Sequence, residues 1–202
     1  MAAATQTISP TKAVILVGGL ATRLREHVPD RPKCLVPVRG RPVVDHLLSA
    51  LSNQGFSQVV LCVGVMAEQV RAHLGSGLAF GLRVEYSQED QPLGTAGAVY
   101  NARHLLPEPF LLLNGDCLSK INFRALVSLL QERQADGVMA LIEMPDISEY
   151  GHVEVSAEGR VLAFREKQPE HRPGLINAGA YALRPQALWP YAGGQPPVSL
   201  EE

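Results

Sequence analysis

The chain predicts an α/β fold: a mostly parallel, Rossmann-like mixed sheet flanked by helices, with a strand-rich C-terminal extension. Three observations predict it. Short apolar runs rich in β-branched residues stop at glycine, serine or asparagine, as strands buried on both faces do. Segments with apolar residues at helical spacing separate those runs. After "NFRALVSLLQERQ" the alternation ends and strand-like runs follow one another with little helix between them.

The first run, "AVILV" (Ala13–Val17), ends at Gly18-Gly19 and reads as a buried strand. In "PVVDHLLSALSNQG" the residues Val43, Val44, Leu47, Leu48 and Leu51 mark a helix, with Pro42 in its first turn and Gly55 as C-terminal cap. "QVVLCVG" is a second strand, "MAEQVRAHLG" a short helix closed by Gly75, and "RVEYS" a third strand. "TAGAVYNARHLL" reads as helical despite Gly97, "FLLLN" as a fourth strand, and "NFRALVSLLQERQ" as a helix capped by Asn122. The runs "GVMALIEM", "HVEVS", "RVLAFREK" and "LINAGAYAL" are expected to extend the same sheet, with "SAEGR" as a hairpin turn. "PVSLEE" looks like the opening turn of another helix. No linker separates the two patterns, so residues 1–202 are expected to form one domain.

Composition narrows the function classes. Hydrophobic residues make up 46% of 202, enough for a substantial core. The formal net charge of -2 carries no signature of nucleic-acid or anionic-membrane binding, so any attraction for an anion is local. Cys34, Cys62 and Cys117 form no CxxC pair and no even framework, which suggests reduced thiols in a cytoplasmic protein. No basic start followed by an apolar run marks a signal peptide, and no apolar segment approaches the ~20 residues of a membrane span.

In a sheet of this kind, ligands bind outside the carboxyl ends of the strands. Gly18-Gly19, "QEDQPLGTAG" and "NGD" all sit at such ends and are expected to converge on one crevice. The loop "VGGLATRLREHVPDRPK" suits a triphosphate. Its glycines let backbone N–H groups come close, Thr22 adds a hydroxyl, and Arg23 and Lys33 neutralise oxyanions. Neither GxxxxGK[ST] nor a GxGxxG after the first strand occurs, so a P-loop and a dinucleotide fingerprint are excluded. "GSGLAFG" has the wrong spacing and lies between a helix and a strand; it is a connecting loop.

With these residues in place, "LVGGLATRLREHVPDRPKCLVPV" resembles the signature of the sugar-1-phosphate nucleotidyltransferases, GGxGTRL followed by PKP. Ala21 stands where glycine is usual and Cys34 where proline is usual. The likeness runs from Ala13 to Leu183 and includes "EDQPLGTAGA", "LNGD", "YGHVEV", "FREK" and "INAGAY" in family order. It implies the nucleotidyltransferase fold, with a nucleotide-binding half over about residues 13–120 and a sugar-phosphate half over about 121–202. It also implies transfer of a nucleoside monophosphate from a nucleoside triphosphate to a sugar 1-phosphate, with release of pyrophosphate. Neither nucleic acid nor membrane is an expected partner, and homo-oligomer formation is left open.

The resemblance gives Arg23, Lys33 and Asp116 the chemistry and makes Asp116 a ligand of Mg²⁺; a turn cap is the alternative for Asp116. A second metal carboxylate is expected near the C-terminal end, at Glu201, Glu202 or beyond. Val17, Gly18, Gly19, Thr22, Glu89, Gly94 and Thr95 are expected around the nucleotide. Lys167 would hold the sugar phosphate and Glu166 the sugar hydroxyls, against the plain reading of an exposed strand-end pair. Tyr150, Gly151, Asn177 and Gly179 would shape the sugar pocket. The Glu89 carboxylate matches the adjacent N–H donors of guanine and favours GTP, whereas the neighbouring Gln88 amide would suit uracil. The motif set is nearest the branch that activates a heptose 1-phosphate. Uridylyl transfer to N-acetylmuramate or hexose 1-phosphate, and a non-catalytic nucleotide-sugar-binding subunit, are the alternatives. His46, His73 and His104 read as ordinary helix residues, His152 as a candidate sugar contact, and Trp189 as a packing anchor. The Cys117 side chain is expected to point away from Asp116.

Overall fold

The computed structural model describes residues 12–19, 31–106 and 108–200. Strand β1 (Lys12–Leu16) pairs in parallel with β4 (Gln58–Val63) on one side and β6 (Phe110–Asn114) on the other, and β5 (Arg83–Gln88) pairs in parallel outside β4. Beyond β6 the sheet turns antiparallel. Strand β10 (Gly174–Leu183) is inserted between β6 and β7 (Gly137–Met144), antiparallel to both. The order is β5-β4-β1-β6-β10-β7.

The alternation of side chains along a strand explains the layers. Ala13, Ile15 and Val17 face one way, onto helices α1 (Val43–Asn53), α2 (Ala67–Leu74) and α4 (Phe123–Glu132). Val14 faces the other way, onto α3 (Gly94–Asn101) and α5 (Pro185–Ala192). Ala13, Val14 and Ile15 have no exposed surface. Each large aliphatic side chain buried to that degree contributes about 1.5–3 kcal/mol of transfer free energy. The mixed, mostly parallel sheet flanked by helices is therefore the architecture that the apolar runs foretell. Asn122 caps α4 through its side-chain oxygen, which accepts from the Ala125 N–H at 3.0 Å.

Several elements differ from the sequence expectation. Only β7 and β10 extend the main sheet; β8 (His152–Val155) and β9 (Val161–Arg165) form a hairpin of their own, closed by the Ser156–Arg160 turn. A two-residue ladder joins β2 (Pro37–Val38) to β3 (Arg41–Pro42), with Arg39 and Gly40 both at positive φ in the turn. Pro42 precedes α1 as its N-cap rather than lying inside it. Helix α3 stops at Asn101 and a separate 3₁₀ turn covers Arg103–Leu105. Helix α5 was not anticipated: it carries Pro185 in its first turn and Pro190 inside, and Trp189 stacks on Phe110 with centroids 6.2 Å apart. Residues 198–200 are not helical; they run across the start of α3, and Glu201 and Glu202 lie outside the described residues.

Leu61 is fully buried in β4, whereas Leu162 in β9 is 62% exposed. Leu61→Ala is expected to destabilise the protein by about 2–5 kcal/mol in urea unfolding, and Leu162→Ala by less than about 0.5. Equal midpoints for the two variants would contradict this layering.

Candidate functional site

The strand order reverses at β1, with β4 to one side and β6 to the other. Such a switch point opens a crevice at the carboxyl ends. The last pairings are Val17 N–H to Cys62 O and Gly115 N–H to Leu16 O, each at 2.9 Å. Gly115 has no alternative there: a Cβ would stand 2.4 Å from Leu16 O and 2.6 Å from Val17 Cγ1. That close approach delivers Asp116 to the end of β1. Lys33, opening the 3₁₀ turn Lys33–Leu35 behind Pro32, reaches across and donates from Nζ to Asp116 Oδ2.

The Cys117 expectation is corrected at this point. Its thiol does not point away but donates to Asp116 Oδ1 at 3.4 Å. Burial pushes the Asp116 carboxyl up, yet the hydrogen bond and charge of Lys33, with smaller help from Cys117, outweigh it and hold the group below its ordinary value. Burial first, then the Asp116 charge, pushes the Cys117 thiol up to about 11, so it stays a protonated donor. Cys34 is packed away at 2% exposure, and burial pushes its thiol up to about 12.

A cavity of about 350 Å³ runs from this pair to the ends of β4 and β5. Among its lining residues are Val17, Gly18, Gly19, Lys33, Glu89, Gly94, Thr95 and Asp116, which the sequence had singled out. Pro92, Asn114 and Gly115 line it too. Thr22 and Arg23 lie outside the described residues. Glu89 continues from β5: its N–H donates to Val63 O at 2.9 Å, and its Oε2 accepts from Leu93 N–H at 3.3 Å. Burial pushes its carboxyl up, opposed by the Leu93 N–H. Gln88 is engaged elsewhere, accepting from Arg71 Nη2 at 3.3 Å. Gly94 has a φ of +78°, and the face where a Cβ would stand is turned to Val198, whose oxygen would be 2.4 Å away. Thr95 Oγ1 accepts from Leu200 N–H at 2.9 Å.

The expected sugar-side residues divide into two places. Asn177 and Gly179 form an irregularity in the β10–β7 register, where Gly179 takes a φ of +68°. There Asn177 Oδ1 accepts from Gly179 N–H at 2.8 Å, and its amide donates to the Tyr181 hydroxyl. A Cβ on Gly179 would stand 3.0 Å from the side chain of Asn114, so this bulge abuts the cavity wall. Tyr150, Gly151, Glu166 and Lys167 gather instead around the β8–β9 hairpin and do not line the cavity. Lys167 donates to Glu149 Oε2 at 2.6 Å, an exposed pair whose acid the sequence reading missed. His152, weighed as a sugar contact, is the first residue of β8; it is 5% exposed and lies 3.0 Å from Arg172 Nη2, as a packed residue of the hairpin.

Among the described residues no cluster of three or more His, Cys, Asp or Glu side chains could enclose a metal ion. One carboxylate at a cavity mouth suits a hard cation that keeps its water and takes its other oxygens from phosphates, as Mg²⁺ does. The donor set fits that ion. None of the described helices is long and apolar enough to cross a membrane.

Comparison with known proteins bears on the same stretch. The family model described as nucleotidyl transferase matches residues 12–195. A D-glycero-alpha-D-manno-heptose 1-phosphate guanylyltransferase of Aneurinibacillus thermoaerophilus is 36% identical over 171 residues, 84% of this chain and 73% of that protein. A mannose-1-phosphate guanylyltransferase of Mycobacterium tuberculosis is 37% identical over 172 residues, 85% of this chain and 48% of that protein. The chain thus spans about half the length of the mannose-1-phosphate relatives it matches. The crystal structure of HddC from Yersinia pseudotuberculosis complexed with GMP-PN superposes with a TM-score of 0.82 at 27% identity, covering 94% of this chain and 83% of that one.

The Lys33–Asp116 pair yields a titration test. Lys33→Met leaves burial opposed only by the thiol and the backbone, so the Asp116 carboxyl is expected to titrate at higher pH than in the parent. In the parent, its depressed value adds stability that is present above the unfolded titration range and lost as pH falls through the folded one; the substitution shrinks that acid-side loss. Carboxyl ¹³C shifts followed against pH read the change. A value equal to or below the parent's would break the assignment.

Proposed function

The chain belongs to the nucleotidyl transferase family, and from that premise we propose that it transfers GMP from GTP to a sugar 1-phosphate, releasing pyrophosphate. An oxygen of the sugar phosphate attacks the α-phosphorus. A new P–O bond forms, the α–β bridging P–O bond breaks, and pyrophosphate leaves with the electron pair. Anions must be brought together, so the site needs cations and fixed dipoles more than a strong base.

The observation that carries this reading is the Lys33–Asp116 pair at one end of a cavity whose other end holds Glu89. Lys33 presents its ammonium to phosphate oxygens as a point charge. Asp116 would hold Mg²⁺, which when bound neutralises phosphate charge. Glu89, with two acceptor oxygens, faces the paired N1–H and N2–H donors of guanine. Gln88, the residue that would have favoured uracil, does not line the cavity and is tied to Arg71. The Asn177–Gly179 bulge beside Asn114 offers a wall for the sugar. Lys167, now held by Glu149, would have to exchange that acid for the sugar phosphate, a cheap exchange for a pair this exposed. A heptose 1-phosphate is the first acceptor to try, and mannose 1-phosphate, named for equally similar relatives, the second. Three unpaired thiols support a cytoplasmic setting.

Pyrophosphate release measured across four nucleoside triphosphates and both sugar 1-phosphates, with and without Mg²⁺, tests the proposal. Turnover is expected with GTP and Mg²⁺. Asp116→Asn and Lys33→Ala should each lower kcat/KM by at least ~100-fold, the scale of one lost electrostatic contact. Parent-level activity in either variant would remove its role. Glu89→Gln should shift preference away from GTP, and an unchanged nucleotide profile would sink the base assignment.

A further inference from the structure

Two glycines that meet the Glu89 side chain are not required by a left-handed backbone. Neither Gly18 nor Gly64 lies in the left-handed region of φ. What each needs is space. A Cβ at Gly18 would stand 2.7 Å from Glu89 Oε1 and 3.3 Å from its carboxyl carbon. A Cβ at Gly64 would stand 2.9 Å from the same oxygen and 2.9 Å from Gly18 O. The ends of β1 and β4 therefore form a slot, and one oxygen of Glu89 lies in it.

The rest of Glu89 is fixed as well. Its backbone is tied to Val63 and its second oxygen accepts from Leu93 N–H. A glutamate left free in solvent loses rotamer entropy when a ligand orders it, and that loss is subtracted from binding. A glutamate already seated avoids most of this loss, and its acceptor edge has one orientation. The slot also shields part of the carboxylate from water, in keeping with the raised titration of this group.

We propose that Gly64, together with Gly18, is a specificity-positioning residue: the two bare α-carbons form a seat that holds the Glu89 carboxylate as the reader of guanine. Gly64 touches no substrate in this account. It acts through Glu89, and the inference rests on the base-reading role given to Glu89 above. It explains why the turn leaving β4, remote in sequence from both the glycine pair and the acid, carries no side chain. At Gly18 the nearest atom in the way is the end of a flexible side chain, with the Gly64 N next at 3.2 Å, so alanine there displaces the carboxylate first. At Gly64 alanine also presses on the Gly18 backbone.

The experiment uses the full chain and five proteins: the parent, Gly64→Ala, Gly18→Ala, Glu89→Ala and Gly64→Ala/Glu89→Ala. Two quantities are read. The first is the carboxyl ¹³C titration of Glu89, assigned by its loss in Glu89→Ala. It is expected to move towards the ordinary glutamate value in both glycine variants. The second is the ratio of kcat/KM for GTP over UTP. It is expected to fall roughly tenfold in Gly64→Ala, carried by the KM for the nucleotide while the KM for the sugar 1-phosphate holds; on the Glu89→Ala background the glycine change should lower it no further. Glu89 titrating as in the parent in both glycine variants would overturn the seat, and Gly18→Ala decides this alone if Gly64→Ala does not fold. A full further loss of the ratio in the double variant would overturn positioning through Glu89. A titration that moves while Glu89→Ala keeps the parent's nucleotide ratio would instead uphold the seat and overturn guanine reading.

Discussion

Strand β1 is hydrogen-bonded along both edges and covered on both faces, with three successive residues wholly shut off from water. A backbone in that position has every N–H and C=O committed. Strand β1 itself can offer polar backbone to a ligand only where it ends, at Gly18 and Gly19. Everything around the cavity follows from that limit. The strands on either side of β1 end at the same level, so their exits, at Gly64 and at Asn114–Asp116, come within reach of the glycine pair. Glu89 arrives the same way, one strand further out and still tied to Val63.

The electrostatics are local, as a near-neutral chain requires. Lys33 and Asp116 are each about a third exposed, at 38% for both side chains, so their attraction is screened and worth at most about 1 kcal/mol. A weak pair suits the proposed function, in which one partner would turn to phosphate and the other to a cation. It holds both groups in position without ligand and releases them at little cost to the fold. The charge inventory alone would not have shown this.

The strands were legible because burial on both faces leaves an unbroken apolar run, and the helices α1 and α4 because one apolar stripe repeats at helical spacing. Helix α5 was not, since two prolines and a mixed apolar surface hide the period; its identity comes from packing Trp189 against Phe110. The β8–β9 hairpin shows the same alternation as a sheet strand, and nothing local says that its partner is itself alone. Site residues divide likewise. Asp116 and Glu89 stand next to strand ends and could be picked out by position, whereas Lys33, which opens a 3₁₀ turn, stood out through the cationic loop and the resemblance that contains it. Glu149, Gly64 and the turn of Cys117 towards Asp116 depend on contacts between distant segments, which no local pattern encodes.

Within the proposed activity, the start of α3 favours one orientation of the nucleotide in the cavity. A helix N-terminus is a ready anion site when its first N–H groups are free. Here the N–H groups of Ala96 and Gly97 both donate to Val198 O, at 2.9 and 3.3 Å, and Val198 N–H returns a bond to Leu93 O at 2.8 Å. The segment around Val198 thus takes up two of the first-turn donors that would have drawn phosphate to α3. The partly buried acid Glu89 stands beside it and repels anions further. A polyphosphate laid along that wall would meet an acceptor carbonyl and a carboxylate, whereas a base would meet a fixed acceptor edge. At the opposite end stand Lys33 and Asp116. Within the proposed activity, then, the chain fixes polarity by removing one anion site as much as by building another, and the base lies towards β5 with the reacting phosphate at the end of β6.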